Sequence, residues 1–104
     1  APDFPDEIHS RATVLIVDSY AIRPLDVVAR ARDLGPAILG DIEWSAGPAT
    51  DRLIELCDHH ILPLGFARTA TDRRSPAEIL DGMWLPSRTD VVLTDGGRGG
   101  YYRG

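Results

Sequence analysis

Lysine is absent from the 104 residues: all eleven cationic side chains are arginine, set against sixteen aspartates and glutamates for a formal charge of −5. That absence excludes from this chain any chemistry built on a lysine amine, including Walker-type phosphate binding and Schiff-base catalysis. The acidic balance works against a nucleic-acid partner, because the surface as a whole repels a phosphate backbone. Cysteine occurs once, at Cys57, so no internal disulfide forms and a reducing, cytoplasmic setting is expected. No apolar run approaches the roughly 18 residues of a membrane helix, and no signal segment follows Ala1. No membrane partner is expected. A missing start methionine, and an end one turn past a strand, lead to the expectation of a piece cut from a longer chain.

What is present suits a single α/β domain over residues 1–104, with 43% hydrophobic and 26% charged residues. Residues 1–12 carry two prolines and read as a leading loop, with a helical turn at 6–10. TVLIVDSY (13–20) is a short continuous apolar run, the pattern of a strand buried on both faces. A helix follows over 24–34, with Pro24 at its first position and Gly35-Pro36 as its stop. AILGDIE (37–43) is a second strand, residues 51–58 a helix capped by Thr50, and HILPL (60–64) a third strand. Ser75-Pro76-Ala77-Glu78 is a capping box opening a helix toward Leu85. TDVVLTDG (89–96) is the fourth strand. The alternation over 13–96 predicts an open, mainly parallel sheet with flanking helices, Rossmann-like in layout.

In such a sheet the strand carboxyl ends share one edge, where ligands bind. Asp18, Ser19, Asp41, Glu43, Leu64, Gly65 and Thr94 to Gly96 are therefore expected along one rim. Four carboxylates there (Asp18, Asp41, Glu43, Asp95) suit a magnesium ion held mostly through water, and equally suit helix caps or solvent. The stretch Thr94-Asp95-Gly96-Gly97-Arg98-Gly99 offers backbone N–H groups and a hydroxyl to an anion, or else forms a tight hairpin into Tyr101-Tyr102. Arg98, Arg103 and the two tyrosines also suit single-stranded RNA, though two arginines on an acidic chain supply little electrostatic attraction. Cys57-Asp58-His59-His60 lacks the spacing of a zinc site, and the period of Cys57 places it on an apolar helix face with Leu53 and Leu56.

The segments VLIVDSY, RPLDVVARARDLG, AILGDIE, LIELCDHHILPLGFARTAT, SPAEILDGM and VVLTDGGRGGYY, in this order, resemble the middle of ribokinase-like (PfkB) carbohydrate kinases, nearest the ketohexokinase-like branch. The resemblance spans about residues 13–102. It implies a ribokinase-like core, with Thr94, Gly96 and Gly99 of a T-x-G-x-x-G turn against the phosphates of ATP. It also implies that Asp41 and Glu43 lie near Mg²⁺, and that the activity is phosphoryl transfer from ATP to a sugar hydroxyl. Two departures stand out. The family's N-x-x-E motif after the third strand is replaced by Pro63-Leu64-Gly65-Phe66. Its catalytic aspartate, in a G-A-G-D turn, and its sugar-binding region are expected outside these residues, which leaves residues 97–104 as a truncated hairpin and no catalytic residue here. A non-enzymatic module binding a nucleotide or anion is the other reading. Uncovered apolar surface is expected to draw in a second chain, as a homodimer.

Overall fold

In order along the chain the computed structural model shows β1 (Val14–Asp18), a 3-10 turn (Ser19–Ile22), α1 (Leu25–Leu34), β2 (Ala37–Asp41), α2 (Pro48–Leu56) and β3 (His59–Pro63). Then come α3 (Leu64–Thr71), α4 (Pro76–Met83), β4 (Asp90–Thr94), a second 3-10 turn (Gly96–Arg98) and β5 (Gly100–Arg103). Residues 13–84 and 90–104 are described. The expected leading loop, its helical turn at 6–10, and the ends of α4 and β4 expected at Leu85 and Thr89 lie outside them.

The strands form one sheet in the order β1-β2-β3-β4-β5, with the first four parallel and β5 antiparallel to β4. The fold is α/β with a mostly parallel sheet. Because each parallel strand lies beside its predecessor, right-handed crossovers carry every helix to the same face. The burial pattern agrees. Ile38, Ile42, His60, Leu62, Val91 and Leu93 are buried against Val28, Leu53, Leu56, Ala67, Ile79 and Met83 of the helices, while alternate strand residues stay partly open.

β1 departs from its expected burial on both faces. It is an edge strand with Val14 and Ile16 exposed, Ile16 to 71%, because no described helix covers the face on which they lie. The apolar run therefore reports a strand that suits burial on both sides, with only one side filled by the described residues.

Several boundaries and one helix also differ from expectation. α2 begins at Pro48 behind Gly47, three residues before the expected start; Thr50 lies inside the helix and turns its hydroxyl back to accept from the Ala46 N–H at 2.9 Å. Pro24 precedes α1 as its cap, and its carbonyl accepts from Val27 and Val28. β3 starts one residue early, at His59, because Leu64 belongs to α3. α3 itself was not expected: it starts after Pro63 with no capping side chain and contains Gly65, so its local signals read as loop. Ser75 caps α4 as expected, its hydroxyl accepting from the Glu78 N–H at 3.2 Å.

The Cys57-Asp58-His59-His60 junction ties the layers together. The Asp58 carboxylate accepts from the Ile38 N–H at 2.8 Å and from Arg32 of α1 at 3.0 Å, while Arg32 also donates to the Leu56 carbonyl at 2.6 Å. His59 Nδ1 meets Asp90 of β4 at 2.6 Å, and buried His60 meets the Ile54 carbonyl at 2.9 Å. Cys57 is buried, as its helical period predicts, and its thiol donates to the Leu53 carbonyl.

Candidate functional site at the carboxyl edge of the sheet

Each strand hands its carboxyl end to a turn or helix, and the polar residues of those turns line the rim. At β1, the Asp18 carboxylate accepts from the Tyr20 N–H at 3.0 Å and caps the 3-10 turn, one of its two expected roles. Buried Ser19 holds the neighbouring strand end: its hydroxyl accepts from the Glu43 N–H at 2.8 Å. That bond fixes where the chain leaves β2.

Asp18 and Asp41 are register partners on adjacent strands and border the same trough of about 630 Å³ beside the free edge of β1. Glu43, two residues on, lines a different cavity with Ser45, Asp51, Gly65, Phe66 and Thr69 on the helix side. Asp95 follows β4, two strands away, about 10 Å across the sheet from β2. Among the described residues no three carboxylate, histidine or cysteine side chains gather as a metal site. The expected four-carboxylate convergence is therefore not formed. The cause is topological: strand order never reverses along β1 to β4, so the rim runs straight and has no switch-point crevice to draw the side chains inward.

The glycine turn after β4 is the best-organised part of the rim. Thr94 is exposed at the strand end, Asp95 N–H donates to the Gly99 carbonyl at 2.8 Å, and Arg98 N–H donates to the Asp95 carbonyl at 3.0 Å. These bonds close a hairpin in which Thr94 pairs with Gly100 and Leu93 with Tyr101. The tight hairpin expected as one alternative for this stretch is therefore formed. Gly96 (φ 51°) and Gly99 (φ 89°) occupy the left-handed half of backbone space that side chains resist. The first N–H groups of a helical turn have no partner inside it, and in this turn those are the N–H groups of Gly96 and Gly97. Tyr101 and Tyr102 belong to β5 and Arg98 ends the 3-10 turn before it, so this segment is the returning arm of a hairpin rather than a loose arginine-glycine tail.

No family model matches the sequence, and no curated protein matches it. In structure the chain is similar to a PfkB protein from Polaromonas sp. JS666, with a TM-score of 0.75 and 18% identity over 97% of this chain. The chain spans 40% of the length of that protein. At this identity the likeness is one of fold, and it singles out no branch of that family.

Two features of the rim escaped the sequence reading. Tyr20 and Trp44, from the ends of β1 and β2, stand edge to face with ring centroids 5.2 Å apart, and the Arg23 guanidinium lies 5.9 Å from the Tyr20 ring. Arg68, Arg73 and Arg74 gather beside α3, next to the cavity that Glu43 lines. Neither group has a contiguous motif; each is assembled by turns that bring separate residues together.

Proposed function

We propose that this chain is the nucleotide-proximal part of an ATP-dependent sugar kinase, of the ribokinase-like kind and nearest its ketohexokinase-like branch, that transfers the γ-phosphoryl group to a sugar hydroxyl. One observation carries the reading. The Thr94 to Gly99 turn, which opens its 3-10 segment with the N–H groups of Gly96 and Gly97, sits at the carboxyl end of a central strand in a fold shared with a PfkB protein. In this reading the Thr94 hydroxyl and those N–H groups hold phosphate oxygens, donors fixed in advance by the hairpin. Mg²⁺ belongs to the reading as the companion of ATP and would draw negative charge from the phosphates. Because Asp41 and Glu43 line separate cavities, each is proposed to meet the water shell of the ion singly. No residue of this chain is assigned as the base for the sugar hydroxyl. The cytoplasm is the setting proposed, and no helix of the described residues is long and apolar enough to cross a membrane.

A second reading, a regulatory module that binds nucleotide or anion without turnover, is favoured by one observation. Behind β3, where the resembling kinases carry their N-x-x-E motif, the first and last positions are Pro63 and Phe66, and neither side chain can ligate a metal ion or hold its water shell. Calorimetry with ATP and Mg²⁺, beside a phosphoryl-transfer assay over a panel of sugars, separates the two. The 104-residue chain is expected to bind ATP more tightly with Mg²⁺ than without, to lose about tenfold with Thr94→Val, and to show no turnover. Absence of saturable ATP binding sinks both readings. Turnover by a longer protein containing this chain selects the first.

A further inference from the structure

Three of the eleven arginines, Arg68, Arg73 and Arg74, fall within seven residues and line one depression of about 600 Å³ together with Gly65, Thr69 and Asp72. The fold holds them there. Asp72 ends α3 in the left-handed conformation (φ 54°), which turns the chain back along the helix it has just left. Arg68 Nε donates to the Arg74 carbonyl at 3.0 Å and pins that turn, and Arg73 donates to the Glu78 carbonyl at 3.0 Å. The Arg73 guanidinium lies over Gly82, so close that a Cβ there would stand 2.9 Å from it.

None of the three guanidiniums forms an ion pair with a described carboxylate; those that donate do so to backbone carbonyls. In a chain of net charge −5 this is a local excess of positive charge, +3 from the arginines against −1 from Asp72. Arginine forks match the paired oxygens of a phosphate, and each guanidinium keeps N–H donors after its bond to a carbonyl. The Thr69 hydroxyl, on the same wall, already donates to the Gly65 carbonyl and keeps its lone pairs. The depression has the size of a small-molecule site, and its strongest feature is charge.

We propose that the α3–α4 turn is an anion site for a phosphomonoester on a small molecule, separate from the glycine turn after β4. The proposal does not depend on the kinase reading, since it needs neither ATP nor turnover. Arg74 is the residue to test, because only its carbonyl takes part in the fold and its side chain can change without unpinning the turn.

The chain is titrated calorimetrically with inorganic phosphate, glucose 6-phosphate, AMP and, as the uncharged control, glucose. Saturable binding of the three phosphate probes is expected, weakening as sodium chloride is raised, with no binding of glucose. Preference for glucose 6-phosphate or for AMP over inorganic phosphate identifies the source of the group. Arg74→Glu is expected to weaken binding about tenfold or more, and Arg73→Gln to weaken it less, while Thr94→Val leaves it unchanged. Circular dichroism of Arg74→Glu matching the parent shows that the loss is local. No saturable binding of any phosphate probe overturns the proposal. So does equal binding by the parent, Arg74→Glu and Arg73→Gln, and so does loss in Thr94→Val alone, which places the anion at the other turn.

Discussion

Gly97 differs from its neighbours Gly96 and Gly99 in one respect: its φ is not positive, and a Cβ there would meet nothing within 4 Å. The fold therefore gives no reason for glycine at 97, whereas it demands one at 99, where φ 89° and ψ −127° suit no side chain. Gly97→Ala is expected to change stability by less than about 0.5 kcal/mol in urea unfolding. Gly99→Ala is expected to cost about 1–3 kcal/mol by the same measurement. If ATP binding falls in Gly97→Ala while stability holds, a ligand approaches that backbone closely; unchanged ATP binding removes Gly97 from the site. The T-x-G-x-x-G pattern was legible at once, because glycine carries its conformational meaning in its identity. The bonds that close the turn, Asp95 to Gly99 and Arg98 to Asp95, were not, since they depend on how β5 returns along β4.

At the scale of elements, Asp58 is the clearest case of a residue whose neighbours in sequence mislead. Beside Cys57, His59 and His60 it resembles part of a metal cluster, yet the four side chains serve five partners spread over α1, α2, β2 and β4. Asp58→Ala strands both the Ile38 N–H and the Arg32 guanidinium, and is expected to cost about 2 kcal/mol. For a domain of this size that is a fall in Tm of roughly 10 °C in calorimetry. A fall of only a degree or two would show that water replaces the carboxylate without loss. Helix starts announced by side chains, such as Ser75, were read correctly. α3 was missed because its start depends on the chain leaving β3 and packing Leu64 and Ala67, which no capping residue signals.

For the molecule as a whole, the face of the sheet that no described helix covers is the surface with the clearest consequence. Register places Ile16, Leu39 and His59 in one row across it, and Asp41, Ile61, Val92 and Tyr102 in the next. Parallel sheets are ordinarily covered on both faces, so the 104-residue chain is expected to self-associate through this one as concentration rises. Ile16→Lys, at 71% exposure, places a charge on the face at little cost to the fold and should move sedimentation toward monomer. Identical sedimentation of parent and variant would remove this face from the association. At the opposite edge, Arg103 closes β5 onto α4 by pairing with Asp81 and lying 4.6 Å over the Trp84 ring, so that end of the sheet is tied down.

The sequence by itself determined the alternation of strands and helices, the parallel sheet it requires, and the glycine turn at the end of β4. These follow from apolar run length, proline and glycine positions, and capping residues, all of them local. Tertiary structure decided the rest. Strand order put every described helix on one face and left Ile16 open. Turns joined Tyr20 to Trp44 and Arg68 to Arg74. Such meetings are set by how crossovers pack, and packing is a property of pairs of elements that no single segment carries.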